Sequence, residues 1–476
     1  MTDVVQQLWG FCHTLRHEGV DYGDYIEQIT YLLFIKMADE RAVTLPSGCD
    51  WATLRNAKGV ALLERYEKTL RKLGQQPGVL GDIFAGSLSR FSNPVSLKKL
   101  LNGINATDWT SLNIDIKAAA FEGLLERAAS EGKKGAGQYF TPRILIRSIV
   151  RCLKPDPRVR TDFTVMDPAA GTGGFLVAAY EWLMEETNAA VDRKTAKRLH
   201  DQTYFGQELV PRPRRLALMN LFLHGLEPDI RLGDSIYDPP DGRRFDVVLT
   251  NPPFGVRGAN DAPERDDFTV ATSNKQLNFI QHVLTILKPG GRAGVVLPDN
   301  ALFADQAGEV FEILTKDCDV HTVVRLPNGT FTPYSPGTKT NVIFFVKGRP
   351  TEIMWVYDAR TNVPRVTKRD RPLTEAHFAD FEKCYGKDPN GRSKRRSSAS
   401  SEDRWRDFHI DEIKEREYKI DSLRWIRDES LDDWDTVPEP EEVANELLAE
   451  LRGAMDEINL VLSKLALAGD PADDGS

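Results

Sequence analysis

Apolar residues in the first 130 positions recur at helical spacing. Tyr25, Ile26, Ile29, Leu33 and Met37 follow a period near 3.6, and Leu62, Leu63, Tyr66 and Leu70 repeat it before Gly74 ends the run. This predicts an N-terminal all-helical domain over residues 1–130, with nothing catalytic in it. The pattern then changes to short apolar runs bounded by turn residues and separated by helical runs, which predicts an α/β domain with a parallel, Rossmann-like sheet at 131–350. Strands are expected at 164–166, 203–207, 229–232, 245–250 and 292–297, with 320–325 and 340–346 completing the sheet at an antiparallel edge. Helices are expected at 144–153, 176–184, 276–287 and 303–315, and Pro289-Gly290-Gly291 reads as a turn. Residues 351–436 read as a polar extension with a flexible basic linker at 387–403. Finally, Ala444, Leu448, Leu451, Met455, Ile458, Leu462 and Leu465 form a heptad seam, predicting a C-terminal helical tail at 437–476 that packs on a partner helix.

What interrupts the apolar runs carries the chemistry. The first predicted strand runs into Asp167-Pro168-Ala169-Ala170-Gly171-Thr172-Gly173-Gly174-Phe175, and an apolar helix follows. A strand, a Gly-rich turn and a helix form the first half of a nucleotide-binding βαβ unit. The spacing is neither GxGxxG nor GxxxxGK[ST]. The second strand ends in Glu208, placed to accept ribose hydroxyls, and the third in Gly233-Asp234. The fourth ends in Asn251-Pro252-Pro253-Phe254, where two prolines force the chain out of the sheet. One polar residue at a strand end is an ordinary turn former; Asp167, Glu208, Asp234 and Asn251 at four successive ends point to a site. Upstream, a glycine-rich loop leads into Gln138-Tyr139-Phe140-Thr141-Pro142-Arg143. Thr141 and Pro142 read as the cap and first turn of a helix whose free N–H groups suit an anionic group, with Tyr139 and Phe140 beside a planar one.

Composition narrows the class. A chain of 476 residues with ordinary globular composition holds several domains, and no apolar run approaches the ~20 residues of a membrane span. The start lacks a secretion signal, and the five cysteines are scattered without a CxxC pair, so a reducing cytoplasm is expected and a zinc ribbon is not. No metal-ligand cluster is read from the sequence. The net charge of −9 argues against a stand-alone nucleic-acid coat but leaves room for local basic faces. The basic run from Arg392 to Ser398 suits a solvated loop better than a phosphate contact.

An Asn-Pro-Pro-aromatic segment after a strand suits one task well, which is holding an exocyclic amino group on a planar ring. The Asn251 side-chain oxygen and the Pro252 carbonyl can each accept one N–H, drawing the nitrogen lone pair out of conjugation, while Phe254 stacks on the ring. The matching electrophile is the methyl group of S-adenosylmethionine, held across the glycine turn, with transfer governed by positioning and electrostatics. If the ring is a base in DNA, it must be flipped out of the duplex. A cytosine-C5 mechanism needs a nucleophilic cysteine, usually after proline, and none of the five follows one.

Residues 137–142, 167–175 and 251–254, in this order, resemble an adenine-N6 DNA methyltransferase, and the arrangement is similar to the modification (M) subunit of type I restriction-modification systems. The segment Tyr31-Leu32-Leu33-Phe34-Ile35-Lys36-Met37-Ala38-Asp39 resembles that family's helical domain, and the final helix its partner-binding tail. The resemblance implies a site-specific, adenine-specific DNA methyltransferase with S-adenosyl-L-methionine as cofactor. It implies that Gln138, Tyr139, Phe140, Thr141, Pro142 and Arg143 contact the cofactor, together with Asp167, Ala169, Gly171, Thr172, Gly173, Gly174 and Glu208. Asp234 would approach the cofactor's adenine amino group, and Asn251, Pro252, Pro253 and Phe254 would hold the target base. Phe at 254, where glutamine- or ribosomal-RNA-modifying relatives more often carry Tyr, favours DNA. No long insertion that could read base edges interrupts the α/β segment. Target choice is therefore expected from a specificity (S) subunit flanked by two M subunits, with a restriction (R) subunit as a possible further partner. Two other readings stay open: methylation of RNA or of a protein amide nitrogen, and a non-catalytic assembly scaffold.

Overall fold

A computed structural model of the chain describes residues 22–40, 43–107, 109, 141–254, 262–332, 335, 337–368, 370–395 and 403–428. The expectations for Gln138, Tyr139, Phe140 and the tail at 437–476 fall outside these residues. The chain divides into two compact units, Met1–Trp425 and Ile426–Ser476. The first contains everything that positions the site.

Its N-terminal part is helical, as the periodicity predicts: α1 (Tyr22–Glu40), α2 (Trp51–Asn56), α3 (Val60–Gly74), α4 (Val79–Phe84) and α5 (Pro94–Asn105). Tyr25, Ile29, Leu33 and Met37 are buried on α1, and Leu62, Tyr66 and Leu70 on α3. Asp50 and Asn93 cap α2 and α5 by accepting from the N–H groups of Thr53 and Val95.

The sheet follows. Helix α6 (Arg143–Leu153) precedes β1 (Val165–Asp167), α7 (Gly174–Glu186), α8 (Arg193–Asp201), β2 (Tyr204–Glu208), α9 (Pro211–Leu223), β3 (Asp229–Leu232) and β4 (Phe245–Thr250). Then come α10 (Lys275–Ile286), β5 (Leu287–Pro298), α11 (Asp299–Leu302), α12 (Ala307–Asp317), β6 (Cys318–Arg325) and β7 (Thr340–Lys347). The sheet has nine strands in the order β3-β2-β1-β4-β5-β7-β6-β8-β9, adding β8 (Ile353–Asp358) and β9 (Trp405–His409). Strands β3, β2, β1, β4 and β5 run parallel, so their carboxyl ends share one edge. All six residues of β4 are buried, and successive side chains serve opposite faces: Val247 and Leu249 join the core shared with α6 and α7, Val248 the core shared with α10 and α12.

Several features depart from the sequence expectation. The antiparallel strand is not an edge, because β7 lies between β5 and β6 and pairs antiparallel with both. The sheet also continues past residue 350. Met354 and Val356 of β8 and Trp405 and Phe408 of β9 are buried, and the indoles of Trp355 and Trp405 stack at 5.1 Å. The described first half of the basic stretch is held down: Arg395 donates to the His321 carbonyl and the Thr322 hydroxyl and lies over the Tyr385 and Trp405 rings. Lastly, Pro289-Gly290-Gly291 is absorbed into β5 as an irregularity in its pairing with β4, and α12 starts at Ala307, after the short α11.

The N-terminal helices seat on α9, whose first five residues include three arginines. Arg212 pairs with Asp24 at 2.8 Å, Arg214 with Asp82 at 2.8 Å, and Arg215 with Glu27, while Phe34 meets Phe222 at 5.0 Å. Among the described residues, no helix is long and apolar enough to cross a membrane.

Candidate active site

The common carboxyl edge brings together Asp167, the glycine turn, Glu208, Asp234 and the Asn251 segment. Parallel register accounts for it: Asp167 lies opposite Gly206 and Glu208 opposite Leu232, so the acidic residues end neighbouring strands at one level. In the turn, Gly171 and Gly173 have φ of +52° and +80°, a backbone state that a side chain strains. Gly173 also lies against Ala217 of α9, where a Cβ would come within 3.3 Å of that methyl group, whereas a Cβ at Gly171 would meet only the Ala169 carbonyl oxygen, at 4.0 Å.

The turn is held by the carboxylates beside it. Glu208 accepts from the Gly171 N–H at 2.8 Å with one oxygen and from the Val210 N–H at 2.9 Å with the other. Burial pushes the Glu208 carboxyl up, against the pull of the N–H groups of Val210, Gly171 and Leu209. Each carboxylate oxygen has a further lone pair, so acceptor capacity for hydroxyls remains. Asp167, 1% exposed, accepts from the Ala169 N–H at 3.0 Å. Burial raises its carboxyl to about 7, with the Ala169 N–H and the Thr250 hydroxyl opposing the rise and the Glu208 charge adding to it. Asp234 accepts from the N–H groups of Ile236 and Tyr237 through one oxygen, and the Ser235 hydroxyl donates to the Pro168 carbonyl at 2.5 Å, tying the third strand end to the glycine turn.

Asn251 is arranged differently. Its Nδ2 donates to the Thr141 hydroxyl at 2.8 Å, while its Oδ1 is enclosed and has no hydrogen-bond partner among the described residues. Pro252 is buried, Pro253 is exposed, and the Pro253 carbonyl accepts from Gln276 Nε2 at 2.8 Å. Phe254, only 6% exposed, meets the ring of Phe331 edge-on at 5.1 Å, so the ring expected as a stacking floor is covered in this state.

Three residues of the expected cofactor side meet other partners. Thr141 does not cap α6: the cap position is Pro142, without a side-chain cap, and the Thr141 hydroxyl faces Asn251. The Arg143 guanidinium is engaged with Glu181 of α7 at 2.5 and 2.7 Å, and it helps the His224 ring hold the Glu181 carboxyl below its usual range despite burial. The Thr172 carbonyl accepts from Asn220 at 3.4 Å.

Sequence reasoning missed Gln276, Ser235 and Arg265. Arg265 is buried, pairs with Asp267 at 2.6 Å and donates to the Ser235 carbonyl at 2.7 Å, so it braces the Asp234 loop from below. A usable signal was present in α10, where Gln276, Asn278, Gln281 and His282 are all buried beside Leu277, Ile280 and Val283. Polar residues on every face of a helix beside a sheet are placed to hold loops.

The edge fits S-adenosylmethionine: a glycine turn uncrowded at Gly171, carboxylates at adjacent strand ends, and an unmatched amide oxygen one strand away. Cys49, Cys152 and Cys318 are buried, and burial raises their thiols, so they do not supply a thiolate nucleophile. This is the architecture of an S-adenosylmethionine-dependent methyltransferase.

Comparison with known proteins agrees. Residues 112–433 match the family model for the N-6 DNA methylase, and residues 4–43 that for the HsdM N-terminal domain. The chain is 39% identical to the StySJI type I restriction enzyme methylase subunit of Salmonella typhimurium, over 99% of this chain and 96% of that one. The EcoKI methylase subunit of Escherichia coli is 38% identical, over the same shares. The crystal structure of the EcoKI M protein superposes with a TM-score of 0.55 at 34% identity, covering 99% of this chain and 98% of that one. The chain therefore belongs to the N-6 DNA methylase family and, within it, to the methylase subunits of type I restriction enzymes.

Proposed function

We propose that this chain transfers the methyl group of S-adenosylmethionine to the N6 amino group of adenine in double-stranded DNA, as the modification subunit of a type I complex. The observation that carries the reading is the enclosed, unmatched Oδ1 of Asn251 at the strand end beside the glycine turn. An orphaned acceptor in a native site is costly and calls for a partner, and an amino N–H supplies one. With Oδ1 accepting a hydrogen bond from one N–H and the Pro252 carbonyl from the other, the adenine nitrogen points its lone pair at the methyl group, and the nitrogen releases one proton to solvent after transfer. The cofactor, when bound, supplies the electrophilic methyl. Asp167, Ala169, Gly171, Thr172, Gly173, Gly174, Glu208 and Asp234 line its side of the edge, with Gln138, Tyr139, Phe140, Pro142 and Arg143 preceding or opening α6. For Arg143 the ion pair with Glu181 favours an indirect part, fixing α6 on α7. Phe254 must leave Phe331, or turn with it, to stack on a flipped base.

Target choice is borrowed from an S subunit flanked by two copies of this chain, with an R subunit adding cleavage, and the complex works on DNA in the cytoplasm. The test is label transfer from radioactive S-adenosylmethionine to DNA, RNA and protein, with and without a specificity subunit. Label at adenine N6 of DNA, dependent on that subunit, is expected. Label in RNA or protein alone overturns the substrate, and strong sequence-specific methylation by the isolated chain overturns the borrowed specificity.

A further inference from the structure

We infer that Thr141 is a positioning residue for Asn251, holding the amide by its nitrogen end so that the carbonyl end meets the amino group to be methylated. The inference rests on the reading above and deepens it. An asparagine amide has two ends of nearly equal shape and opposite chemistry. Turned one way it offers an acceptor to the target amino group. Turned the other, it sets donor against donor. A hydroxyl can accept from Nδ2 or donate to Oδ1, so the target amino group selects the rotation; the Thr141 hydroxyl, 2.8 Å from Nδ2, matches the donor end in that rotation and anchors the amide while Oδ1 stays unmatched among the described residues.

Thr141 can do this because the helix it precedes does not slide. Helix α6 is pressed onto β5 at Gly294, where an added Cβ would lie 2.8 Å from Leu153 Cδ1 and 2.9 Å from Ile149 Cγ2. On its other side, Arg143 in its first turn pairs with Glu181 of α7. The hydroxyl thus stands at a fixed depth beside the end of β4, from a position 110 residues earlier in the chain. The resemblance assigns this residue to the cofactor; the contact assigns it to the base side of the site.

The test uses a complex of the full chain with a specificity subunit that supports wild-type methylation, and compares Thr141→Val with Thr141→Ser. Valine keeps the shape and removes the hydroxyl; serine keeps the hydroxyl. Single-turnover transfer at saturating S-adenosylmethionine is expected to slow roughly tenfold in Thr141→Val, the size of one lost buried hydrogen bond. Calorimetric affinity for S-adenosylmethionine should stay within about twofold of wild type, and Thr141→Ser should recover the rate to within about threefold. A wild-type rate in Thr141→Val overturns the inference. So does a loss of cofactor affinity or of folding that accounts for the slowed rate, which would make Thr141 a cofactor contact or a packing residue. Equal slowing in Thr141→Ser also overturns it. If the wild-type complex methylates RNA or protein instead of DNA, the proposed substrate fails, while the ratio of the two variants on that acceptor still decides the role of Thr141.

Discussion

The two halves of the site are built to different standards of completion. At the ends of β1, β2 and β3 each acidic side chain already has backbone partners: Ala169 for Asp167, Gly171 and Val210 for Glu208, Ile236 and Tyr237 for Asp234. At the end of β4, Asn251 has a partner for its nitrogen and, among the described residues, none for its oxygen, and Phe254 is folded against Phe331. The cofactor half is organised before anything binds; the base half awaits a group that arrives by leaving a duplex. Pre-organisation reduces the ordering cost of the first ligand, and an unmatched acceptor reserves its interaction for the second.

The sharpest way to break this contrast is Asn251→Ala. Methyl transfer should fall by on the order of 10²–10³, the usual cost of removing one group aimed at developing charge, while cofactor affinity holds. Lost cofactor binding in that variant would mean that the halves are not separate.

Next in size is a pH effect confined to the cofactor half. The Asp167 carboxyl titrates near 3.8 in an unfolded chain and at about 7 in the fold. The fold therefore favours its neutral form, and this contribution is fully present below 3.8 and is lost as pH climbs to about 7. Asp167→Asn, which cannot ionise, should gain stability relative to wild type across that window, by roughly 4 kcal/mol once the difference levels off. Denaturant unfolding of the ligand-free protein at pH 5 and pH 8 measures it; an equal difference at both values would refute the shift.

A smaller effect is expected from Glu208→Gln, which weakens the acceptor for two backbone N–H groups. Affinity for S-adenosylmethionine should drop about tenfold, with the rate at saturation nearly unchanged. The smallest concerns Gln276→Leu, which leaves the Pro253 carbonyl without that donor. A three- to fivefold slower transfer at normal cofactor affinity is expected, roughly one modest hydrogen bond. If it weakened cofactor binding instead, α10 would belong to the other half.

What the sequence revealed follows from how far each signal reaches along the chain. The strand and glycine turn at 165–174 and the strand and prolines at 245–253 are local patterns, and the fold keeps them as read. The partners of Thr141, Arg143 and Phe254 lie 110, 38 and 77 positions away, so no periodicity could name them. Strand β8 was overlooked for a related reason. Its own alternation is sound, but the strand that covers it, β9, follows some fifty residues later, beyond a polar stretch.

That late return has a practical consequence for anyone trimming the protein. A version ending at residue 350 would seem to keep the whole catalytic segment, yet it would remove the strand paired with Thr322, Val323, Val324 and Arg325. Strand β6 would then present a buried row, half of it apolar, as a naked edge, a template for pairing with other chains. Such a fragment should aggregate rather than act as a small methylase. The shortest useful version extends through β9 and the Trp425 ring that packs on Phe408, which places the limit of the catalytic body about 75 residues beyond the boundary expected at residue 350.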